Sequence, residues 1–195
     1  VSNYEKYIIS GDKEGTIVYS NIKLKQKNQF EAHKNTCIRD LSFSNSSLKF
    51  VSCADDGMAK VFDFSKSKEE FSFSDHRSDV KTCEWHPFES LIVTGSKDCY
   101  VKVWDPRTGG KGVHTIPAHN NTITQTRWNP VNGNWFLTGS RDSKIKVYDL
   151  RKLDKEFNCF EGHDDPVNVV AWHPFKEDLF ASATHAQKNG QIIYW

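Results

Sequence analysis

What this chain lacks narrows the field first. It has a single methionine and five cysteines (Cys37, Cys53, Cys83, Cys99, Cys159), an odd number with no two at a C-x-x-C spacing. That excludes a cysteine-framed metal site of the usual kind and argues against a disulfide framework, so a reducing compartment is expected. Cys53, Cys83 and Cys159 sit inside apolar strand patterns and read as small core residues. An excess of one charge is also missing: 26 Lys+Arg face 25 Asp+Glu, a net +1, so only local clustering of charge is informative. No signal peptide or membrane-spanning run is readable, and no G-x-S-x-G nucleophile elbow occurs.

Short apolar runs and aromatics are what the sequence does have, with 6 Trp and 13 Phe. Between Asp75 and Pro106 alternating apolar residues form three runs: Val80, Cys83 and Trp85, then Leu91 to Val93, then Val101, Val103 and Trp104. Turn residues break each run, which is the period-2 signature of short strands. The same unit recurs on both sides. Its leading histidine appears as His33, His76, His119 and His163, spaced 43, 43 and 44 residues apart. A period in the low forties with strand patterning indicates the blades of a β-propeller.

VTGSKDCYVKVWD (93–105), FLTGSRDSKIKVYD (136–149) and FVSCADDGMAKVFD (50–63) resemble the signature of the WD-repeat β-propeller family across essentially the whole chain. The resemblance implies an all-β fold of four to five four-stranded antiparallel blades, an excerpt of a ring that in the family most often has seven. The blades are expected at 33–74, 75–118 and 119–162, with a partial blade at 1–32 lacking its first strand and one at 163–195 lacking its last. Strand edges near Tyr7–Ser10 and Gln191–Trp195 would then be open.

Donor and acceptor chemistry explains the spelling of one blade. An indole N–H only donates, a carboxylate only accepts, and hydroxyl and neutral imidazole do both. Trp104, Thr94, His76 and Asp98 are therefore expected to form one buried chain, with Thr94 ending the second strand. His33, Ser52 and Asp56 repeat it with Phe62 in place of Trp, leaving Ser52 to find another partner. His119, Thr138 and Asp142 repeat it with Tyr148, whose hydroxyl substitutes only with different geometry. His163 and Ser182 open the last copy, whose turn is three residues longer and carries Asn189 at the carboxylate position. In the first partial blade Glu14 and Ser20 replace Asp and Trp. Ser or Thr with His and Asp also compose a hydrolase triad. Recurrence in successive blades favours a structural staple over a catalytic site, which is needed once.

Further stretches carry a narrower resemblance. FEAHKNTCIRDLSFS (30–44), DVKTCEWHPFESLIVTGSKD (79–98), NGNWFLTGSRDSKIKVYDLRKLDKEFNCFEGH (132–163) and VAWHPFKEDLFAS (170–182) are similar to the WD-repeat scaffold subunits of the cleavage and polyadenylation specificity factor. The resemblance implies a non-enzymatic, nuclear scaffold in pre-mRNA 3′-end processing, with other subunits of the complex and pre-mRNA as partners and no cofactor. A WD-repeat adaptor in an unrelated complex, such as a ubiquitin ligase or chromatin assembly, is the alternative. The residue before each turn carboxylate position is Lys13, Asp55, Lys97, Arg141 or Lys188. With Lys34 and Arg77 after the histidines, these basic residues are candidates for RNA or acidic-partner contacts on one rim. Loops 86–88 and 173–175, both His-Pro-Phe, belong to the opposite rim, where the phenylalanines are expected to pack under the loop. His86 and His173 lie in different blades without a Cys or carboxylate companion, so no metal is expected.

Overall fold

The computed structural model describes residues 7–21, 27–46, 48–109, 112–185 and 190–195. Alternating apolar residues and turn signals resolve into five antiparallel sheets, each strand pairing with its neighbour in sequence. The first holds β1 (Tyr7–Gly11), β2 (Thr16–Asn21) and β3 (Lys27–Glu31). Four-stranded sheets follow: β4 (Ile38–Phe43), β5 (Lys49–Ala54), β6 (Ala59–Asp63) and β7 (Lys68–Phe73); then β8 (Val80–Trp85), β9 (Ile92–Ser96), β10 (Tyr100–Trp104) and β11 (Gly112–Pro117); then β12 (Ile123–Trp128), β13 (Trp135–Ser140), β14 (Lys144–Asp149) and β15 (Asn158–Glu161). The last sheet has β16 (Val167–Trp172), β17 (Phe180–Thr184) and β18 (Ile192–Tyr194). The second strands run past the staple hydroxyl, so Thr94 lies inside β9 rather than at its end.

First strands pack against first strands, β4 on β8, β8 on β12 and β12 on β16, which makes them the inner strands of successive blades. The apolar core accordingly lies between blades. Val51, Val61 and Phe73 of one pack on Val80, Ile92 and Trp104 of the next, and Val93, Val101 and Ile116 pack on Ile123, Trp128 and Phe136 in turn. A small residue after the staple hydroxyl permits this approach. A Cβ on Gly95 would lie 2.6 Å from Ile123, and one on Gly139 would lie 2.9 Å from Val170. Cys53 and Cys83 are fully buried in the first of these cores, whereas Cys159 is only half-buried, because its outer strand has no further blade strand over it.

Strand register also fixes which loops share a rim. Ile38 opposes Ala54 and Ala59 opposes Phe73, so the turn between second and third strands emerges beside the loop that leads into the first. Turn carboxylates and staple histidines therefore meet at one end of every blade. The loops joining first to second strands sit at the other.

Candidate functional site

In the blade of β8–β11 the four expected groups are joined. The Trp104 indole donates to Thr94 Oγ1 at 2.8 Å, and that hydroxyl is 2.8 Å from His76 Nε2. His76 Nδ1 lies 2.9 Å from Asp98 Oδ2. Burial alone would push the Asp98 carboxyl up, but His76 and the backbone N–H groups of Arg77 and Tyr100 outweigh it and hold it at about 2. An ionised carboxylate only accepts, so Nδ1 carries the proton, Nε2 accepts, and Thr94 donates to it. Every proton in the chain then has a fixed direction, and the network is fully satisfied.

Each of the other three blades that carry a staple histidine departs from this in one place. His33 lies 2.7 Å from both Ser52 Oγ and Asp56 Oδ2, while Phe62 stacks on Phe50 with ring centroids 5.3 Å apart instead of donating. His119 lies 2.8 Å from Thr138 and 3.0 Å from Asp142. Tyr148 corrects the sequence reading: its hydroxyl donates to the Ala118 carbonyl at 3.3 Å and takes no part in the His119 chain, because the phenol reaches beyond Thr138. In the last blade Trp195 donates to Ser182 at 2.8 Å and Ser182 lies 2.6 Å from His163. His163 Nδ1 is buried with no partner among the described residues. Asn189, the residue expected to serve it, lies outside them, as does Lys188. In the first sheet the turn is held by Asp12, whose Oδ1 accepts from the N–H groups of Glu14 and Thr16 at 2.9 and 2.8 Å.

The hydroxyls of Ser52, Thr94 and Thr138 are fully buried, and His76 and His119 nearly so. Among the described residues no group of three or more His, Cys, Asp or Glu is placed to hold a metal ion. His86 is committed elsewhere: Nδ1 accepts from the N–H groups of Phe88 and Glu89 at 3.1 and 2.9 Å, and Nε2 meets the Gly133 carbonyl at 2.8 Å.

Lys13, Lys34, Arg77, Lys97 and Arg141 are all exposed at the staple end of the blades. Lys13 leans on Glu14 at 3.6 Å. Asp55 interrupts the basic series; the Arg39 guanidinium and Lys81 hold its carboxyl at about 2, so it is ionised and its charge is balanced by theirs.

A second polar system was not foreseen. Asp40, Thr82 and Gln125 occupy the same position of successive inner strands, and their side-chain oxygens accept the N–H groups of Cys83, Thr126 and Val170 in the next blade at 3.3, 3.2 and 2.7 Å. Two residues further along, Ser42 and Glu84 accept from the N–H groups of Trp85 and Trp128. Inner strands of adjacent blades are thus tied by side chains where no backbone ladder joins them. Arg127, next in that series, cannot accept. It reaches back across a blade to donate to Asp40 at 3.2 Å. Burial raises the Glu84 carboxyl to about 7, an effect that the charge of Arg127 and the Trp128 N–H offset only partly. The signal in the sequence was polar residues at alternate inner-strand positions one period apart.

The fold and the repeated staple define a WD-repeat β-propeller. The WD domain, G-beta repeat, family model matches residues 24–63, 67–105, 110–149 and 154–195, and the chain belongs to that family. It is similar to polyadenylation factor subunit 2 of Neurospora crassa, 49% identical over 80 residues that make up 41% of this chain and 12% of that protein. The protein of the same name from Gibberella zeae is 42% identical over 74 residues, 38% of this chain and 12% of the relative. The peroxisomal targeting signal 2 receptor of Mus musculus is 33% identical over 100 residues, 49% of this chain and 31% of the receptor. The matched stretch thus spans about an eighth of the polyadenylation factors.

Proposed function

We propose that this chain is a non-enzymatic scaffold in nuclear pre-mRNA 3′-end cleavage and polyadenylation, organising protein subunits and lending phosphate contacts to RNA. The observation that carries this reading is the 49% identity to a polyadenylation factor subunit, supported by relatives of the same name in four fungal species. Burial of every described staple hydroxyl supports a structural rather than hydrolytic use of His, Ser or Thr and Asp. The exposed cations Lys34, Arg77, Lys97 and Arg141 form the surface offered to phosphates. Affinity purification from cell extract tests the scaffold role: polyadenylation subunits are expected, and recovery of a ubiquitin-ligase or chromatin complex instead would establish the adaptor alternative. For RNA, each phosphate contact on a single strand contributes about 0.7 to the salt slope, so three or four contacts give roughly −2 to −3 with weak sequence preference. The variant Lys34→Ala, Lys97→Ala, Arg141→Ala should flatten that slope and leave the unfolding free energy within the range of ordinary surface changes, about 0.5 kcal/mol per substitution. An unchanged slope would make the rim ordinary solvated charge.

A further inference from the structure

The side-chain ties between inner strands differ in what they are made of. Trp85 and Trp128 close successive inner strands, and each presents its backbone N–H to a side chain of the strand before it. Ser42 accepts the first through a hydroxyl at 3.0 Å, a group that carries no charge at any working pH. Glu84 accepts the second through a carboxyl oxygen, and the Trp128 indole adds a bond to the Glu84 carbonyl at 3.3 Å. At the following seam the position is Arg127, which has no acceptor to offer. Among the described residues, only the seam between β8–β11 and β12–β15 therefore has a tie at this position that can gain and lose a proton.

The surroundings of Glu84 do little to hold its charge. Arg127 is the cation that faces it, from β12, and that guanidinium donates to Asp40 at 3.2 Å and to the Thr126 carbonyl at 2.8 Å. Asp40, facing from β4, also takes the Thr82 hydroxyl and the N–H groups of Leu41 and Cys83, at 3.0, 2.9 and 3.3 Å. The Glu84 carboxyl has the Trp128 N–H and no second hydrogen bond among the described residues. Val93 lies opposite it in β9 and Phe136 lies opposite Trp128 in β13, neither with a charge. The Cys83 thiol turns to the Asp40 carbonyl, and His86 is committed to Gly133. Arg39, Lys81, Asp55 and Asp79 pair with one another at the staple end. Burial therefore outweighs the attraction of Arg127 and the Trp128 N–H, Asp40 adds repulsion, and the carboxyl is raised to about 7.

We propose that Glu84 is a proton-operated latch on the seam between β8–β11 and β12–β15. Protonated, it stays in the seam and its carbonyl oxygen holds the Trp128 N–H. Ionised, it gives its proton to solvent, turns out to the water beside the inner strands and releases that N–H. A carboxyl raised on folding stabilises while it is protonated. Its contribution is whole below the unfolded value near 4.3 and is lost as pH rises through about 7. This is opposite in sign to Asp98, so the latch loosens one seam across the neutral range while the staple of the same blade stays intact.

Hydrogen exchange of the Trp85 and Trp128 amides at about pH 5.5 and pH 8, each corrected for intrinsic exchange, reads the latch in the parent protein. Protection of Trp128 should fall at least about tenfold at the higher pH, while Trp85, tied to a hydroxyl, keeps its protection. Glu84→Gln retains an oxygen acceptor and removes the proton, so its Trp128 protection should not change with pH. In urea unfolding between about pH 5 and pH 7.5, the parent's unfolding constant should rise at least about tenfold more than that of Glu84→Gln. If the variant does not fold, carbon-13 titration of the Glu84 carboxyl in the parent decides, with a midpoint of about 6 or higher expected. Equal changes at Trp85 and Trp128, parallel pH curves for parent and variant, or a carboxyl midpoint below about 6 would each overturn the proposal.

Discussion

The blades closed by Trp104 and by Phe62 differ in one donor, and the consequences stop close to it. Around His76 the hydroxyl and carboxylate distances are 2.8 and 2.9 Å, and around His33 both are 2.7 Å, so loss of the indole N–H does not loosen the imidazole. Both aromatics are buried and stacked, Trp104 on Phe73 at 4.8 Å and Phe62 on Phe50 at 5.3 Å. Aromatic volume is what the end of the third strand requires, and the donor is an addition. The carboxylate end differs more. Asp98 accepts from His76 and two backbone N–H groups with its side chain 6% exposed, whereas Asp56 accepts from His33 and one N–H and is 22% exposed.

The largest expected contrast follows from that difference. Asp98→Ala strands three donors, one of them a buried imidazole N–H, and should destabilise by roughly 3 kcal/mol, while Asp56→Ala should cost roughly 1 kcal/mol. Urea melts of the two variants measure it, and equal shifts would remove the distinction between the blades. Acid titration sharpens the same contrast. The folded Asp98 carboxyl lies at about 2, below the usual carboxylate range near 3.9, so its contribution is present above the unfolded value and is lost as pH falls through the folded one. At about 1.4 kcal/mol per unit this is roughly 2 kcal/mol between pH 5 and 2. Asp98→Asn should flatten the acid limb of the stability curve more than Asp56→Asn does.

Much of this was legible because it is local. Alternation, the His-to-Asp separation and the hydroxyl two residues inside the turn are properties of one repeat, and they placed His76, Thr94, Asp98 and Trp104 before any coordinates. What escaped depends on a neighbouring blade. Asp40 and Glu84 are single charges within an inner strand, and their role depends on the Cys83 and Trp128 N–H groups that the next blade supplies. Phe88 and Phe175, expected to pack under their loops, are instead 58% and 85% exposed, and a Cβ on Gly133 of the next blade would lie 2.8 Å from the Phe88 ring. Asp12 was passed over because its role is a turn cap two residues before the expected carboxylate, which an alignment on the repeat reads as a serine position.

A smaller effect tests the donor itself. Trp104→Phe makes this blade resemble its predecessor, and removing one neutral hydrogen bond while keeping the stack should cost about 1 kcal/mol beyond the loss of ring volume. Thermal melts combined with Phe73 repacking controls would read it. A loss of 4 kcal/mol or more would mean that the indole N–H organises the whole chain, contrary to what Phe62 tolerates.

The smallest effect distinguishes Tyr148 from Trp104 by coupling rather than size. The Tyr148 hydroxyl donates to the Ala118 carbonyl at 3.3 Å and not to Thr138, so Tyr148→Phe should cost only about 0.5 kcal/mol. Because the two side chains share no hydrogen bond, Tyr148→Phe and Thr138→Val should add within about 0.5 kcal/mol in a double-mutant cycle. Trp104→Phe and Thr94→Val remove the two ends of one 2.8 Å bond, and the second change costs less once the first is made, so that cycle should show an interaction of about 1 kcal/mol. A coupled Tyr148–Thr138 cycle would place the phenol inside the staple and make that blade equivalent to the one closed by Trp104.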